Sequence, residues 1–385
     1  MKILTIPRLA HDTSICILED GAITSYQMEE RFSRKKHDRH SELILDNLED
    51  TFFDKIIITS QFLENYTYPL EKIKEKIQNI SYDKLIIESE IHHLYHAYSG
   101  FYNSGFDEAI CFSVDASGAI LNSGDIEIES IYHLRKNQEE IQLHQRTRKF
   151  RTIKVNNSFW KYISSIDEKN LSVGEKFCKY SELFGYDAID GAGKIMGLAQ
   201  YKNYKEKLQY PYNSKEWKQR VDQAHDLQQE TQNHILSLIK KYTEETGIKN
   251  VVISGGYGLN CVANYHYLKQ LKDINLYVDP ICFDAGIAIG SAYYHTADKS
   301  KIKPLQNAYI GYKEETYDLS NLETKKVSYD DIVKLLLQKN VVALLQGKSE
   351  AGQRALGNRS LLFDPRVSNG KDIVNEIKQR ENFRP

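Results

Sequence analysis

The stretch AICFSVDASG, Ala109 to Gly118, followed by DIEIESIYHLRK, Asp125 to Lys136, decides the fold. An apolar run ends in a lone aspartate and a small-residue turn, and a strongly alternating segment comes next, which reads as strand, turn, strand. The same order opens the chain: KILTIPR, TSICILED and AITSYQMEER, with Glu19-Asp20-Gly21 as the tight turn between the second and third. After each opening, strand and helix alternate. In the first half the spacing predicts a helix at Ser41 to Glu49, a strand at KIIIT, a helix around Leu70 to Ile80, a strand at KLIIES and a helix from Ile91. In the second, the polar segment Asn213 to Gly247 predicts one long exposed helix or a helix pair, with Gly247 as its C-cap. Strand, glycine turn and helix then follow in NVVISGGYGLNCVANYHYLKQL, and again in NLYVDPICFDAGIAIGSAYYH. Such alternation predicts an α/β protein.

The two successive halves resemble the duplicated nucleotide-binding fold of actin and sugar kinases. A polar stretch from Thr296 to Ser328 reads as a linker or edge, and a new unit starts at Tyr329 with helix DIVKLLLQK and strand VVALLQG. A boundary near residue 320 divides the chain into 1–320 and 321–385.

Composition narrows the function classes. At 385 residues, 41% hydrophobic and 27% charged, with a formal net charge of -2, the chain has the profile of a soluble globular protein. Its near-neutral charge argues against a large nucleic-acid footprint, although the basic strip RFSRKKHDRH, Arg31 to His40, offers a local one. Five cysteines without a CxxC pair fit reduced thiols in a cytosol. The absence of a long apolar run or a signal-peptide pattern predicts a cytoplasmic protein without membrane contact.

Within HHLYHAYSGFYNSGF, His92 and His96 are four residues apart, so both imidazoles lie on one helix face. On spacing alone a packed or hydrogen-bonded pair is the better reading, because the glutamate of the HExxH zinc-peptidase motif is missing and further ligands are needed. Asp115 in CFSVDASG and Asp284 in ICFDAGIAIG are the candidates, each a lone carboxylate after an apolar run, where a cap or turn role competes. Two imidazoles and two carboxylates would suit iron(II), manganese or zinc. The glycine turn SGGYGLNCVAN offers backbone amides and a helix N-terminus to a phosphate, and a tight structural turn is an equal alternative. Lys194 in GAGKIMGLAQY is a candidate phosphate contact. HDTS, His11 to Ser14, lies between two strands, and Lys36 is placed on the rising end of the next strand; a surface turn and a surface lysine compete with functional roles for both.

These segments, together with EERFSRKKHD and GKSEAGQRALGNRSLLFDPR, run in the order in which very similar segments occur in the O-carbamoyltransferases of nodulation-factor and aminoglycoside biosynthesis, the NodU, CmcH and TobZ type. The resemblance runs from Ile3 to Pro385. It implies a large domain like the tRNA threonylcarbamoyltransferases, of actin-like (ASKHA) fold, followed by a YrdC-like α/β segment that is incomplete here. It also implies a two-stage reaction. The YrdC-like part makes carbamoyl-adenylate from carbamoyl phosphate and ATP, and the large domain passes the carbamoyl group to an acceptor hydroxyl. By this resemblance His92, His96, Asp115 and Asp284 match iron ligands, and His11 and Lys36 match residues that handle the carbamoyl group. Lys194, Gly255, Gly256, Asn260 and Asn264 match the nucleotide side of the pocket, and Lys348, Arg354 and Arg359 match a phosphate-holding cluster.

Two residues depart from the family pattern: Lys348 stands where arginine is usual, and Gln353 where proline is usual. About 57 residues follow Ser328, too few for a separate YrdC-like core. The leading expectation is an O-carbamoyltransferase whose activating half is supplied by a separate chain. Competing expectations are a carbamoyltransferase acting on tRNA or a hydroxylated DNA base, and a non-catalytic ATP-binding remnant.

Overall fold

A computed structural model describes residues 1–48, 52–61, 67–89, 91–149, 166–203, 214–311, 313 and 320–384. They form two compact units, Met1–Gln306 and Asn307–Pro385.

The first unit opens with β1 (Lys2–Arg8), β2 (Ser14–Glu19) and β3 (Ala22–Met28). Asp20 (φ 47°) and Gly21 (φ 79°) both take the left-handed conformation between β2 and β3. That pair of dihedral signs belongs to the type I′ hairpin, whose twist matches the flanking strands. β1 pairs antiparallel with β2 and parallel with β4 (Phe52–Ser60), and β4 pairs parallel with β5 (Ser81–Ser89), so the sheet order is β3-β2-β1-β4-β5. β6 (Glu108–Ser113), β7 (Asp125–Arg135), β8 (Ile141–Lys149), β9 (Asn250–Ser254) and β10 (Asn275–Val278) form a second sheet, ordered β10-β9-β6-β7-β8. Its pairings repeat those of the first: β6 is antiparallel to β7 and parallel to β9, and β9 is parallel to β10. One strand order and one set of strand directions, used twice, make the duplicated actin-like fold.

Helices fill the connections: α1 (Glu29–Ser33), α2 (Glu42–Asp46), α3 (Leu70–Ile77), α4 (His92–Ser104), α5 (Val173–Leu183), α6 (Ala188–Ala199), α7 (Lys215–Thr246), α8 (Cys261–Gln270) and α9 (Ile287–Tyr294). Two expectations need correcting. The segment before Gly247 is one 32-residue helix that is exposed on one side only. Trp217, Val221, Ala224, Leu227, Thr231, Ile235, Ile239 and Tyr242 recur every three or four residues along its buried stripe, and the polar residues between them hide that period in the sequence. Lys36 lies in a turn beyond α1, because Arg34 caps that helix at φ 59° and turns the chain away from a strand path. Gly247 does cap α7, at φ 72°.

The last helix of each half packs on the other half. α4, buried from His92 to Asn103, lies against β6 and β9; the Ser113 hydroxyl donates to the His93 carbonyl (2.6 Å), and Gly100 faces Val252. α9 and the turn before it are seated on the first sheet, where Thr5 Oγ1 donates to the Ala288 carbonyl (2.7 Å), and Ser14 Oγ (2.7 Å) and Tyr26 Oη (3.1 Å) donate to that of Ala285. This exchange brings residues from distant parts of the chain to one point between the sheets.

The second unit holds α10 (Tyr329–Leu337), the antiparallel pair β11 (Val342–Leu345) and β12 (Arg359–Leu362), and α11 (Gly370–Ile377). None of the α10 residues is buried, and Tyr329, Leu337 and Leu345 are exposed. Among the described residues no helix is long and apolar enough to cross a membrane.

Candidate metal centre and transfer site

α4 presents His92 and His96 one turn apart, with ring centroids 4.8 Å from each other. β6 ends just before Asp115, whose Oδ1 accepts from the Ala116 backbone N–H at 2.7 Å; this cap turns Oδ2 toward the histidines, 3.0 Å from His96 Nε2 and 3.6 Å from His92 Nε2. Asp284 opens the turn that leads into α9, and its Oδ1 stands 3.5 Å from each Nε2. All four side chains are buried, and their ligand atoms lie within 4.8 Å of one another. The structure therefore gathers the four expected metal residues.

The donor set fits a cation. Metal–nitrogen and metal–oxygen bonds of roughly 2.0–2.2 Å, at tetrahedral or octahedral angles, imply donor separations of about 3.0–3.5 Å. The four N···O separations between the histidines and the aspartates are 3.0, 3.5, 3.5 and 3.6 Å. His92 Nε2 and Asp284 Oδ2 are buried without a hydrogen-bond partner, an arrangement that is costly unless something else satisfies them.

Electrostatics point the same way. Burial would raise the Asp115 carboxyl, but the two imidazoles hold it well below its ordinary range. Burial would lower His92, but Asp284 and Asp115 raise it to about 10. Without a cation the carboxylate pair draws protons onto the histidines, and a divalent ion would displace them. His93, the third histidine of the cluster, is separate: its Nδ1 faces Ser130 Oγ at 2.9 Å, and burial pushes it down to about 4, which keeps it neutral.

HDTS reaches the same point from the first sheet. His11 Nε2 is 3.9 Å from Asp284 Oδ2, and His11 Nδ1 is 2.8 Å from Asp12. Burial lowers the His11 ring, but Asp284 and Asp12 raise it to about 9; a cation on Asp284 would cancel part of that pull. Lys36 pairs with Asp190 in the first turn of α6. Sequence reasoning missed Asp12, His37 and Asp190. The first two adjoin His11 and Lys36, and adjacency was the available signal.

The expected nucleotide residues are less uniform. Gly255 (φ 86°) sits against the Val114 carbonyl with no room for a β-carbon, and one on Gly256 would lie 2.9 Å from Asp115 Oδ1. The turn is thus packed tightly against Val114 and Asp115. Asn260 caps α8 through Ala263 N–H (3.1 Å) and exchanges hydrogen bonds with Gln228, so its side chain is committed to the fold. Asn264 donates to the Gly258 carbonyl (2.8 Å), and Lys194 Nζ lies over the Tyr186 ring, 4.8 Å from its centroid. Lys348, Arg354 and Arg359 belong to the second unit. There Arg359 Nε donates to buried Glu350 at 2.7 Å and Nη2 to its carbonyl at 2.7 Å.

Residues 213–293 match the carbamoyltransferase N-terminus family model and residues 333–385 the carbamoyltransferase C-terminus model. Two segments of the chain are thus similar to carbamoyltransferases, as the sequence resemblance implies. A protein of Synechocystis sp. is 26% identical over an alignment that covers 100% of this chain and 74% of the relative. The 3'-hydroxymethylcephem-O-carbamoyltransferase of Amycolatopsis lactamdurans is 34% identical over 34% of this chain and 26% of its own. The crystal structure of HypF from T. kodakarensis matches 76% of the chain and 47% of its own length at a TM-score of 0.50 and 13% identity, a likeness of fold.

Proposed function

We propose that this chain transfers a carbamoyl group from carbamoyl-adenylate to the hydroxyl of an acceptor, at the site formed by His92, His96, Asp115, Asp284 and His11. The observation that carries this reading is the convergence of a buried two-histidine, two-aspartate donor set with His11 3.9 Å from Asp284, in a duplicated nucleotide-binding fold. Bound there, a divalent cation, iron(II) by the family resemblance, would supply a Lewis acid for the carbonyl or phosphate oxygen.

The chain's own residues do the rest. The acceptor oxygen attacks the carbamoyl carbon, the bond from that carbon to the phosphate oxygen breaks, and AMP leaves with the electron pair. The hydroxyl proton goes to His11 Nε2, whose ring is held by its hydrogen bond to Asp12. The SGGYGLN turn and Lys194 hold the nucleotide, and burial of the quartet keeps water from the labile donor.

Carbamoyl-adenylate is made from carbamoyl phosphate and ATP by a YrdC-like domain, of which the second unit carries Lys348, Arg354 and Arg359. Exposed Tyr329, Leu337 and Leu345 around a two-stranded sheet support completion of that domain by further polypeptide, since such a ribbon is marginal alone. The test supplies synthetic carbamoyl-adenylate, iron(II) and a panel of polyhydroxylated acceptors. Mass spectrometry should detect a carbamate ester that His11→Ala abolishes. Equal ester formation by wild type and His11→Ala would reject the site.

A further inference from the structure

We propose that Asp12 and His37 are positioning residues for the transfer: Asp12 fixes the tautomer of His11, and His37 holds Asp12 and joins it to the Asp190–Lys36 pair. The inference rests on the carbamoyl-transfer reading for its kinetic consequence and on geometry alone for the hydrogen bonding.

Asp12 is 2% exposed, and its Oδ2 lies 2.8 Å from His11 Nδ1. His37 Nδ1 lies 2.9 Å and 3.0 Å from the two Asp12 oxygens, and His37 Nε2 lies 3.0 Å from Asp190 Oδ1. The same Asp190 oxygen pairs with Lys36. An ionised carboxylate only accepts, so each ring nitrogen that faces one acts as a donor. His11 then carries a proton on Nδ1, and its Nε2 is the atom presented toward the metal centre. The chain from His11 through Asp12, His37 and Asp190 ends at Lys36, so the two candidate transfer residues belong to one hydrogen-bonded network.

Backbone strain supports a role beyond packing. Asp12 and His37 both adopt φ 56°, a conformation rare for residues other than glycine. The two loops are also stitched together where Thr13 N–H donates to the Asp38 carbonyl and Thr13 Oγ1 to that of Arg39, both at 3.0 Å. Two loops held in strained conformations so that an aspartate can meet two imidazoles is the pattern of a preorganised site.

Asparagine tolerates the left-handed conformation, so Asp12→Asn and His37→Asn keep the backbone while changing the hydrogen bonds. With carbamoyl-adenylate as donor, Asp12→Asn should lower kcat by roughly 10²–10⁴-fold with KM and metal content unchanged, the result of a misplaced tautomer. His37→Asn should lower kcat by on the order of 10–100-fold. In protein labelled with ¹⁵N-histidine, protected Nδ1–H signals are expected from both His11 and His37. Both should vanish in Asp12→Asn. An unchanged kcat in Asp12→Asn, or a His11 whose proton sits on Nε2 alone in the wild type, would overturn the proposal. So would uptake of a second equivalent of Zn²⁺ by the wild type that Asp12→Asn loses, which would make the cluster a cation site. If the wild type carbamoylates no acceptor, the transfer reading fails, and the nitrogen spectra still decide the positioning role.

Discussion

Gly290 of α9 lies against the backbone carbonyl of Tyr95 in α4, with no space between them for a β-carbon. This contact lets the closing helix of each half approach the other, and it sets the distance between Asp284, just before α9, and the two histidines of α4.

Gly290→Ala should therefore destabilise the protein although alanine is the better helix former. Helix propensity would contribute about 1 kcal/mol in favour, while forcing a methyl group into a backbone contact costs about 1–3 kcal/mol, and the backbone cannot yield as a side chain can. Gly193 of α6 is the control, since a β-carbon there meets nothing within 4 Å. Gly193→Ala should raise the melting temperature and Gly290→Ala should lower it, as read by thermal denaturation.

Acid should loosen the second unit through Glu350. Burial pushes its carboxyl up, but Arg359 and the N–H groups of Leu356 and Asn358 outweigh burial and hold it at about 2, against an ordinary value of 4.5. The folded value is the lower one, so the stabilisation is fully present above pH 4.5 and is lost as the pH falls toward 2. Amide exchange at Leu356 and Asn358, corrected for its intrinsic pH dependence, should accelerate across that window. In Glu350→Gln it should be fast throughout.

ATP should raise the melting temperature by mass action, by about 2.7 kcal/mol of stability at a hundred times its Kd. Gly256→Val should remove that shift but will also press on Asp115, because a β-carbon at this position already lies 2.9 Å from Oδ1. Lys194→Ala separates the two effects. It should shrink the ATP shift while leaving metal content at the wild-type level, and a full ATP shift would place the nucleotide elsewhere.

Much of this arrangement was legible in the sequence because it obeys local rules. The type I′ turn at Asp20-Gly21, the strand ending in Asp115 and the Gly247 cap each follow from short-range chemistry. The pairing of Asp115 and Asp284 with His92 and His96 needed the family resemblance, since residues so far apart in the chain meet only through the exchange of α4 and α9 between halves. Asp12, His37 and Asp190 were missed for a related reason: their hydrogen bonds join two loops and a helix start, and no periodicity marks such contacts. Asn260, which the family resemblance matched to the nucleotide side of the pocket, also caps α8 and pairs with Gln228, contacts that no local pattern announces. The burial of α7 along one stripe escaped notice because Gln228, Thr231 and Gln232 are polar residues on its buried face.

The central claim is that His92, His96, Asp115 and Asp284 hold one divalent metal ion, and elemental analysis of the purified protein after anaerobic loading with iron(II) tests it most directly. The account predicts close to one equivalent of metal in the wild type, and loss of that metal in both His96→Ala and Asp284→Ala, with circular dichroism confirming that the variants stay folded. Wild-type metal content in both variants would contradict it.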